Sequence, residues 1–416
     1  IDCDNFYVSC ERVFRPDLNN KPVAVLSNND GCIVSRSNEV KALGIKMGTP
    51  YFEIEELEKE QNIEIFSSNY ALYSDISQRI VRTLEKFSPE IEVYSIDESF
   101  LKLNIDKDRC TEYGKDIRET ILKEVGVPTT VGIAYTKTLT KVASKVAKKN
   151  PEYKGVLSLL DTENNDKYLD MVEIDDIWGV GRKYSTWLKD RGINTAKALK
   201  YADIQKIRKR MTVGGYRTVM ELNNVECIPL EEQPPTKKSI VSSKSFGELI
   251  TSLSDINKEL ARDVTRAGEK LRKENCMTGY LSVFITTSRF RKPYYSNSIG
   301  IKLPYPVSDT STLTKYALKG LEKIFRKGYK YKKTGVMLTD ISPINDVQLN
   351  FAVDNYLSHT KQSRKVMESI DRINRKWGRD TVKVAAMGVR DKSLMKQEKK
   401  SPRYTTSWEE MPVAYI

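Results

Sequence analysis

The sequence predicts an α+β protein built from several domains. Three observations carry this. The chain has 416 residues, more than one ordinary hydrophobic core accommodates. Its first half centres on Tyr94-Ser95-Ile96-Asp97-Glu98-Ser99-Phe100, flanked by Ile91-Glu92-Val93 and Leu101-Lys102-Leu103, which reads as strand, tight turn, strand. Its second half, after a Pro-rich break, follows the order βαββαβ, the split-βαβ pattern of one small sheet with two helices on one face.

Two adjacent carboxylates at a tight turn repel each other unless a cation sits between them. Asp97 and Glu98 therefore suggest a divalent metal, and their hard oxygens suit Mg²⁺ better than zinc. The alternative is an acidic turn facing water. A third carboxylate, Asp2, is predicted at the end of the first strand. That strand already begins at Ile1, so the natural N-terminus is expected upstream.

Composition narrows the chemistry. Charged residues make up 30% and the formal net charge is +13, which favours a polyanionic partner, nucleic acid before anionic lipid. There is no bilayer-length apolar run, and no membrane association is expected. The cysteines, Cys3, Cys10, Cys32, Cys110, Cys227 and Cys276, form no C-x-x-C pair, as in a reduced cytoplasmic protein without zinc. His359 is the single histidine, so the chemistry must run on carboxylates, lysines or metal ions.

In chain order, the strand at Asp2 runs into a helix that Asp4 and Asn5 are placed to cap, with Phe6 and Tyr7 in its first turn as possible core. Segments 22–27 and 31–36 form a hairpin through Asn28-Asn29-Asp30-Gly31. A short helix from Asn38 stops at Gly44, and Ser35, Arg36 and Lys41 give this lobe a basic face. Leu72, Ile76, Ile80, Val81, Leu84 and Phe87 predict a core-packing helix over 70–87, broken by Pro89. Further helices cover 112–125 and 137–149, with a strand from Thr129 to Ala134 between them. The second of these helices carries Lys137, Lys141, Lys145, Lys148 and Lys149, a face either solvated or in contact with phosphate.

Residues 166–233 change to short helices. Trp178-Gly179-Val180-Gly181 before a helix from Arg182 has the shape of a helix-hairpin-helix, whose backbone N–H groups bind phosphate. Gln233-Pro234-Pro235 with Lys237 and Lys238 reads as a linker. The βαββαβ segment comprises strand 239–246, helix 255–275, strands 279–287 and 296–302, helix 311–326 and strand 334–341. Lys244, Arg289 and Arg291 make its open face a candidate duplex-binding surface. A helix is expected over about 361–377, then a polar end.

These residues together resemble the Y-family, or translesion, DNA polymerases, and within them the bacterial UmuC-type branch, that of the DNA polymerase V catalytic subunit. The resemblance rests on Asp2-Cys3-Asp4-Asn5-Phe6-Tyr7 with Glu11, Val13-Phe14-Arg15-Pro16-Asp17-Leu18, and Leu26-Ser27-Asn28-Asn29-Asp30-Gly31-Cys32. It continues through Glu39-Val40-Lys41-Ala42-Leu43-Gly44, Phe66-Ser67-Ser68-Asn69-Tyr70, the Tyr94–Phe100 turn and Ser401-Pro402-Arg403-Tyr404-Thr405-Thr406.

The resemblance implies a right-hand polymerase. Its palm would be 1–10 and 67–165, its fingers 11–66, its helical thumb 166–233, a linker 234–238, its little finger 239–342, and a C-terminal tail 343–416. It implies error-prone, template-directed transfer of a dNTP to a primer 3′-hydroxyl during damage tolerance, under an SOS response. Asp2, Asp97 and Glu98 would hold two Mg²⁺ ions, with the Cys3 carbonyl. Phe6, Tyr7, Ser35, Lys41 and Lys148 would line the nucleotide site, with Tyr7 as the gate against a 2′-hydroxyl. Lys41 stands where many members have arginine, making its contact a point charge. Gly179 and Gly181 match the thumb's phosphate-binding turn. Gln348, Leu349 and Phe351 resemble a sliding-clamp-binding peptide, and a UmuD-like subunit and RecA are further implied partners of the DNA-bound enzyme. The competing expectation is a non-catalytic DNA- or clamp-binding accessory protein on the same fold.

Overall fold

A computed structural model describes residues 1–231, 236–344, 356–389 and 396–413. The predicted clamp peptide, Gln348, Leu349 and Phe351, lies outside the described residues. The chain divides into two compact units, Ile1–Pro234 with Gln397–Ile416, and Pro235–Lys396.

The first unit opens with β1 (Asp2–Cys3) and α1 (Phe6–Phe14). A three-stranded sheet follows, β2 (Val23–Leu26), β3 (Ile33–Arg36) and, after α2 (Asn38–Ala42) and α3 (Glu55–Glu60), β4 (Glu64–Ser67). Its order is β3-β2-β4, with β2 antiparallel to β3 and parallel to β4. Val23-Ala24-Val25-Leu26 is apolar at every position because β2 is buried on both faces. Val23 and Val25 enter the core shared with α1, and Ala24 and Leu26 enter a second core with Ile33, Val40 and Ile65. The small lobe and the catalytic sheet are thus joined through one strand's two faces.

α4 (Tyr70–Leu84) places Leu72, Ile76, Ile80 and Leu84 in the core at 4% exposure or less, as the helical spacing requires. Each such burial is worth roughly 2 kcal/mol. β5 (Ile91–Val93) and β6 (Ser99–Leu101) make the hairpin that carries Asp97 and Glu98. Next come α5 (Cys110–Val125), β7 (Thr129–Ile133), α6 (Lys137–Lys149) and β8 (Val156–Ser158), with sheet order β1-β7-β8. The hairpin is tied to β1 on its other side: Asp2 bridges Glu98, and the Cys3 N–H donates to the Asp97 carbonyl at 2.8 Å. Gly132 lets α6 lie directly on β7, since a Cβ there would come within 2.2 Å of the Thr140 carbonyl oxygen.

The short helices α7 (Asn165–Asp170), α8 (Arg182–Lys189), α9 (Ala196–Lys200) and α10 (Ile204–Leu222) pack with the inner face of α6 around Leu169, Ile174, Leu188 and Leu199. Residues 397–413 return to this first unit and run beside the end of β4.

The second unit is the expected βαββαβ: β9 (Ile240–Ile250), α11 (Leu253–Lys273), β10 (Cys276–Thr287), β11 (Ser296–Val307), α12 (Thr310–Ile324) and β12 (Tyr331–Pro343). The strands run in the order β11-β10-β12-β9, all antiparallel. Leu281, Val283, Ile285, Val336 and Leu338 face α11 and α12, while alternate residues such as Tyr280 and Phe284 face away. α13 (Tyr356–Trp377) and the turn at Ala385–Met387 add to this unit through Arg272–Asp371 (2.7 Å) and Arg266–Asp380 (2.6 Å) ion pairs and the buried Met387. The stretch expected as one tail, 343–416, is therefore divided between the two units, because residues 397–413 find their partners on β4 and α1.

Candidate active site

Asp97 and Glu98 owe their positions to Ser95. Its hydroxyl accepts the N–H of Asp97 (3.3 Å) and of Glu98 (3.0 Å) and donates to Asp97 Oδ1 (2.6 Å). This closes the turn, and the N–H groups of Tyr94 and Ser95 both reach the Glu98 carbonyl at 3.1 Å. Because β1 lies against this hairpin, Asp2 bridges Glu98, whose neighbour in the chain is Asp97.

Each flank of the site carries a lysine from α6. Lys148 Nζ donates to Asp2 Oδ1 and lies 3.2 Å from Asp4 Oδ1. Burial alone would lower the Lys148 pKa, but Asp2 and Asp4 outweigh it and hold it above the ordinary lysine value. Lys141 Nζ donates to Glu98 Oε1 at 2.6 Å. That ammonium also lies over the rings of Tyr94 (4.6 Å), Trp178 (5.6 Å) and Phe100 (5.8 Å). Trp178 Nε1 donates to the Tyr94 hydroxyl at 3.0 Å, joining the carboxylate turn to the Gly179 loop. A cleft of about 260 Å³ opens among Asp2, Glu98, Lys141, Lys148 and Trp178. Among the described residues, no group of three His, Cys, Asp or Glu side chains forms a ready metal cage.

The predicted nucleotide residues lie around α1. Tyr7 is half-buried, stacked on Tyr73 with ring centroids 4.4 Å apart and planes 14° apart, and edge-on to Tyr70 at 6.1 Å. Burial raises its phenol pKa. Lys41 Nζ donates to Asn5 Oδ1 (2.6 Å) and Asn38 Oδ1 (3.2 Å), and burial, with Lys148 and Arg36 nearby, lowers its pKa. Ser35 is buried; its hydroxyl donates to the Asn5 carbonyl (3.3 Å) and accepts the Val8 N–H (3.4 Å), fixing α1 against β3. Phe6 is 3% exposed, so its ring is a core side chain.

Three expectations need correction. Asn5 occupies the N-cap position of α1 in a left-handed conformation (φ 49°), but its side chain makes no cap and binds Lys41 and Asn38 instead. Asp4 is likewise drawn away, accepting from Thr130 Oγ1 at 2.9 Å and facing Lys148. Lys137 is neither solvated nor free for phosphate. It is buried, paired with Glu92, and donates to the Pro229 carbonyl at 2.7 Å. Lys145 and Lys149 both pair with Asp176, at 2.9 and 3.1 Å.

Gly179 takes φ +85°, which only glycine adopts readily, and Gly181 precedes α8 with no atom within 4 Å of a built Cβ. Lys244 lies on β9 opposite Thr334, and Arg289 and Arg291 are exposed in the β10–β11 loop of the second unit. Sequence reasoning named Ser95, Lys141 and Glu11 without their roles; the last is a buried acid whose carboxylate accepts from the Tyr73 hydroxyl at 2.7 Å. The spacing of Lys141 and Lys148 on one helix, and of Tyr7 and Glu11 one turn apart, was the available signal.

Residues 1–145 match the impB/mucB/samB family, residues 237–351 its C-terminal domain, and residues 364–414 a domain of unknown function (DUF4113). Protein ImpB of Salmonella typhimurium is 42% identical over 422 residues, covering 100% of this chain and 99% of that protein. Protein UmuC of Salmonella typhimurium strain LT2 is 42% identical over 415 residues, covering 99% and 98%. Among solved structures, the Y-family DNA polymerase chimera of Dbh and Dpo4 superposes with a TM-score of 0.66 at 22% identity, over 82% of this chain and 98% of that one. That likeness places the fold among the right-hand polymerases, and the full-length relatives place the sequence: the chain belongs to the impB/mucB/samB family, as a UmuC-type Y-family DNA polymerase.

Proposed function

We propose that this chain copies past damaged template positions, adding a deoxynucleotide to a primer 3′-hydroxyl as a DNA-directed DNA polymerase. The observation that carries the reading is the bridge that sets Asp2 beside Glu98, the chain neighbour of Asp97, in a cleft where Lys148 and Lys141 present cations to Asp2 and Glu98. Family membership brings dependence on a divalent metal. The donor set suits one: carboxylates and the Cys3 carbonyl are hard oxygens, and the Cys3 side chain packs in the core. Asp2, Asp97 and Glu98, with the Cys3 carbonyl, would hold two Mg²⁺ ions. When bound, such ions activate the attacking hydroxyl and neutralise the leaving pyrophosphate.

The chain's own groups do the rest. Ser95 holds the Asp97–Glu98 turn in register with β1. Lys148 exchanges its carboxylate partners for triphosphate oxygens, with Lys41 as a second point charge and Ser35 keeping α1 in place. The Tyr7 ring, braced on Tyr73, lies under the sugar and excludes a 2′-hydroxyl. The finger sheet has only four residues in each strand, so few contacts police the nascent pair, which suits damaged templates and frequent misinsertion. The Gly179–Gly181 turn and Lys244, Arg289 and Arg291 take the DNA backbone. A sliding clamp at Gln348-Leu349-Asn350-Phe351, a UmuD-like subunit and RecA complete the proposed partners, in the cytoplasm during an SOS response. No described helix is long and apolar enough to cross a membrane.

Primer extension with Mg²⁺ and dNTPs, on an undamaged template and on one with an abasic site, tests this. Extension across the lesion by wild type, lost by at least about a thousandfold in Asp97→Ala/Glu98→Ala, is the expected result. DNA binding without extension by wild type, even with clamp and a RecA filament added, would point to the accessory-protein reading.

A further inference from the structure

Residues 397–413 are the part of the molecule with no place in the reaction so far, yet they reach the inner face of α1. The Ser67 N–H donates to the Lys399 carbonyl at 2.9 Å, the Lys399 N–H donates to Ser67 Oγ at 3.0 Å, and Lys400 forms a parallel bridge with Ser67. The segment therefore extends the finger sheet at the edge of β4. Tyr404 then stacks on Phe14, with ring centroids 4.6 Å apart and planes 9° apart.

Between these two anchors lies Ser401, 6% exposed. Its hydroxyl donates to Glu11 Oε1 at 3.0 Å and accepts from Asn69 Nδ2 at 3.0 Å. Asn69 Nδ2 also reaches the carbonyls of Ser401 (3.3 Å) and Pro402 (3.1 Å). Glu11 Oε1 takes a second hydrogen bond from the Tyr73 hydroxyl at 2.7 Å, and Glu11 Oε2, fully buried, has no partner. Tyr7, Glu11 and Phe14 lie at i, i+4 and i+7 of α1, so one helix face presents the gate ring, the acid and the stacking ring in a row. Tyr73 closes the circuit, since its hydroxyl is held by Glu11 and its ring is the platform of Tyr7.

We propose that the C-terminal segment is a positioning element of the nucleotide-sugar site: Ser401, acting through Glu11 and Tyr73, sets the ring of Tyr7 and so sharpens discrimination between deoxynucleotides and ribonucleotides. The proposal rests on the reading of Tyr7 as the sugar gate. A stack has shallow lateral restraint, whereas a hydrogen bond to a buried carboxylate is directional, so the hydroxyl of Tyr73 fixes what the stack alone leaves free to slide. An acceptor shared by two donors from α4 and from the tail makes the ring's place depend on a segment hundreds of residues away in sequence. Ser401, Glu11 and Tyr73 are positioning residues, and none of them is expected to touch the nucleotide.

The test is single-nucleotide incorporation by the full chain with dNTP and with the matching rNTP, kcat and KM read separately, for Ser401→Ala, Ser401→Thr, Tyr73→Phe and Tyr7→Ala. Tyr73→Phe keeps the ring and removes only its hydroxyl. Ser401→Ala and Tyr73→Phe should each reduce the dNTP-over-rNTP ratio of kcat/KM by about fivefold, the size of one lost hydrogen bond. The change should come through the rNTP, and Ser401→Thr should restore the ratio. Tyr7→Ala should collapse the ratio altogether. If Tyr7→Ala collapses it while both Ser401→Ala and Tyr73→Phe stay within about twofold of wild type, the inference is wrong and the gate reading stands. If Tyr7→Ala itself leaves the ratio intact, the gate reading fails and the inference with it. Should Ser401→Ala fold poorly, Tyr73→Phe decides: a ratio like that of wild type overturns the proposal.

Discussion

The molecule handles its acids in two opposite ways. At the edge of the catalytic sheet, Asp2 and Glu98 are partly open and each faces a lysine brought by α6. Behind α1, Glu11 is fully buried, has no lysine or arginine within ion-pair distance among the described residues, and leans on two hydroxyls. Burial pushes its carboxyl up to about 7, against the smaller opposing pull of Tyr73 and Ser401. The second unit repeats the dry solution under its own sheet. Asp263 is 7% exposed, accepts one hydrogen bond from Ser242 Oγ at 3.0 Å, and is pushed up to about 7 by burial. The difference teaches what each acid is for. An acid meant to meet a cation is kept in an open cleft with a cation at hand. An acid meant to hold other side chains still is kept dry, where its proton is cheap and its geometry is fixed.

The sharpest way to break this comparison is pH. Both dry acids have folded pKa values above their unfolded ones, so the folded state binds more protons. Their contribution is fully present below the unfolded pKa and is lost as pH rises through about 7. For Asp263 the loss is on the order of 4 kcal/mol between about pH 4 and pH 7. Urea unfolding of the second unit's transition in Asp263→Asn should show a correspondingly flatter pH dependence than wild type. Glu11→Gln should do the same for the first unit by on the order of 3 kcal/mol. Parallel pH curves for wild type and variant would mean that the acid is not held neutral.

A smaller effect sharpens the open side. Lys141→Met removes the ammonium that sits on Glu98 but keeps an apolar stem among Tyr94, Phe100 and Trp178. With that competitor gone, the Mg²⁺ concentration giving half-maximal extension should fall by about two- to fivefold. A rise in that concentration would show that Lys141 recruits the metal site's geometry and does not compete with it.

Much of the fold was legible because its signals are local. The 3.6-residue spacing of Leu72, Ile76, Ile80 and Leu84 and the Gly44 stop each act within a turn or two, although the helix expected to run to Phe87 ends at Leu84, before Pro89 is reached. The βαββαβ order was readable because strands and helices there keep clean periods of 2 and 3.6. The site was legible as residue types, and the structure sets Asp2 across from Glu98 on neighbouring strands. The misread residues have a common cause. Asn5 suits a cap by local rules, but Lys41 and Asn38, more than thirty residues away, offer its side chain better partners. Lys137 belongs to a basic stripe by spacing, but the stripe's first position faces Glu92 in the interior.

The sequence by itself determined which segments are helix and strand, where the carboxylate turn falls, and which family the motifs resemble. Only the tertiary structure decided which acids are wet and which dry, which lysine serves which carboxylate, and where the chain's end belongs. Ser401 meets Glu11 across 390 positions of sequence. No periodicity or turn preference reaches that far: local preferences fix dihedrals, whereas a buried hydrogen bond between distant segments exists only once packing has excluded the water that would otherwise satisfy both partners.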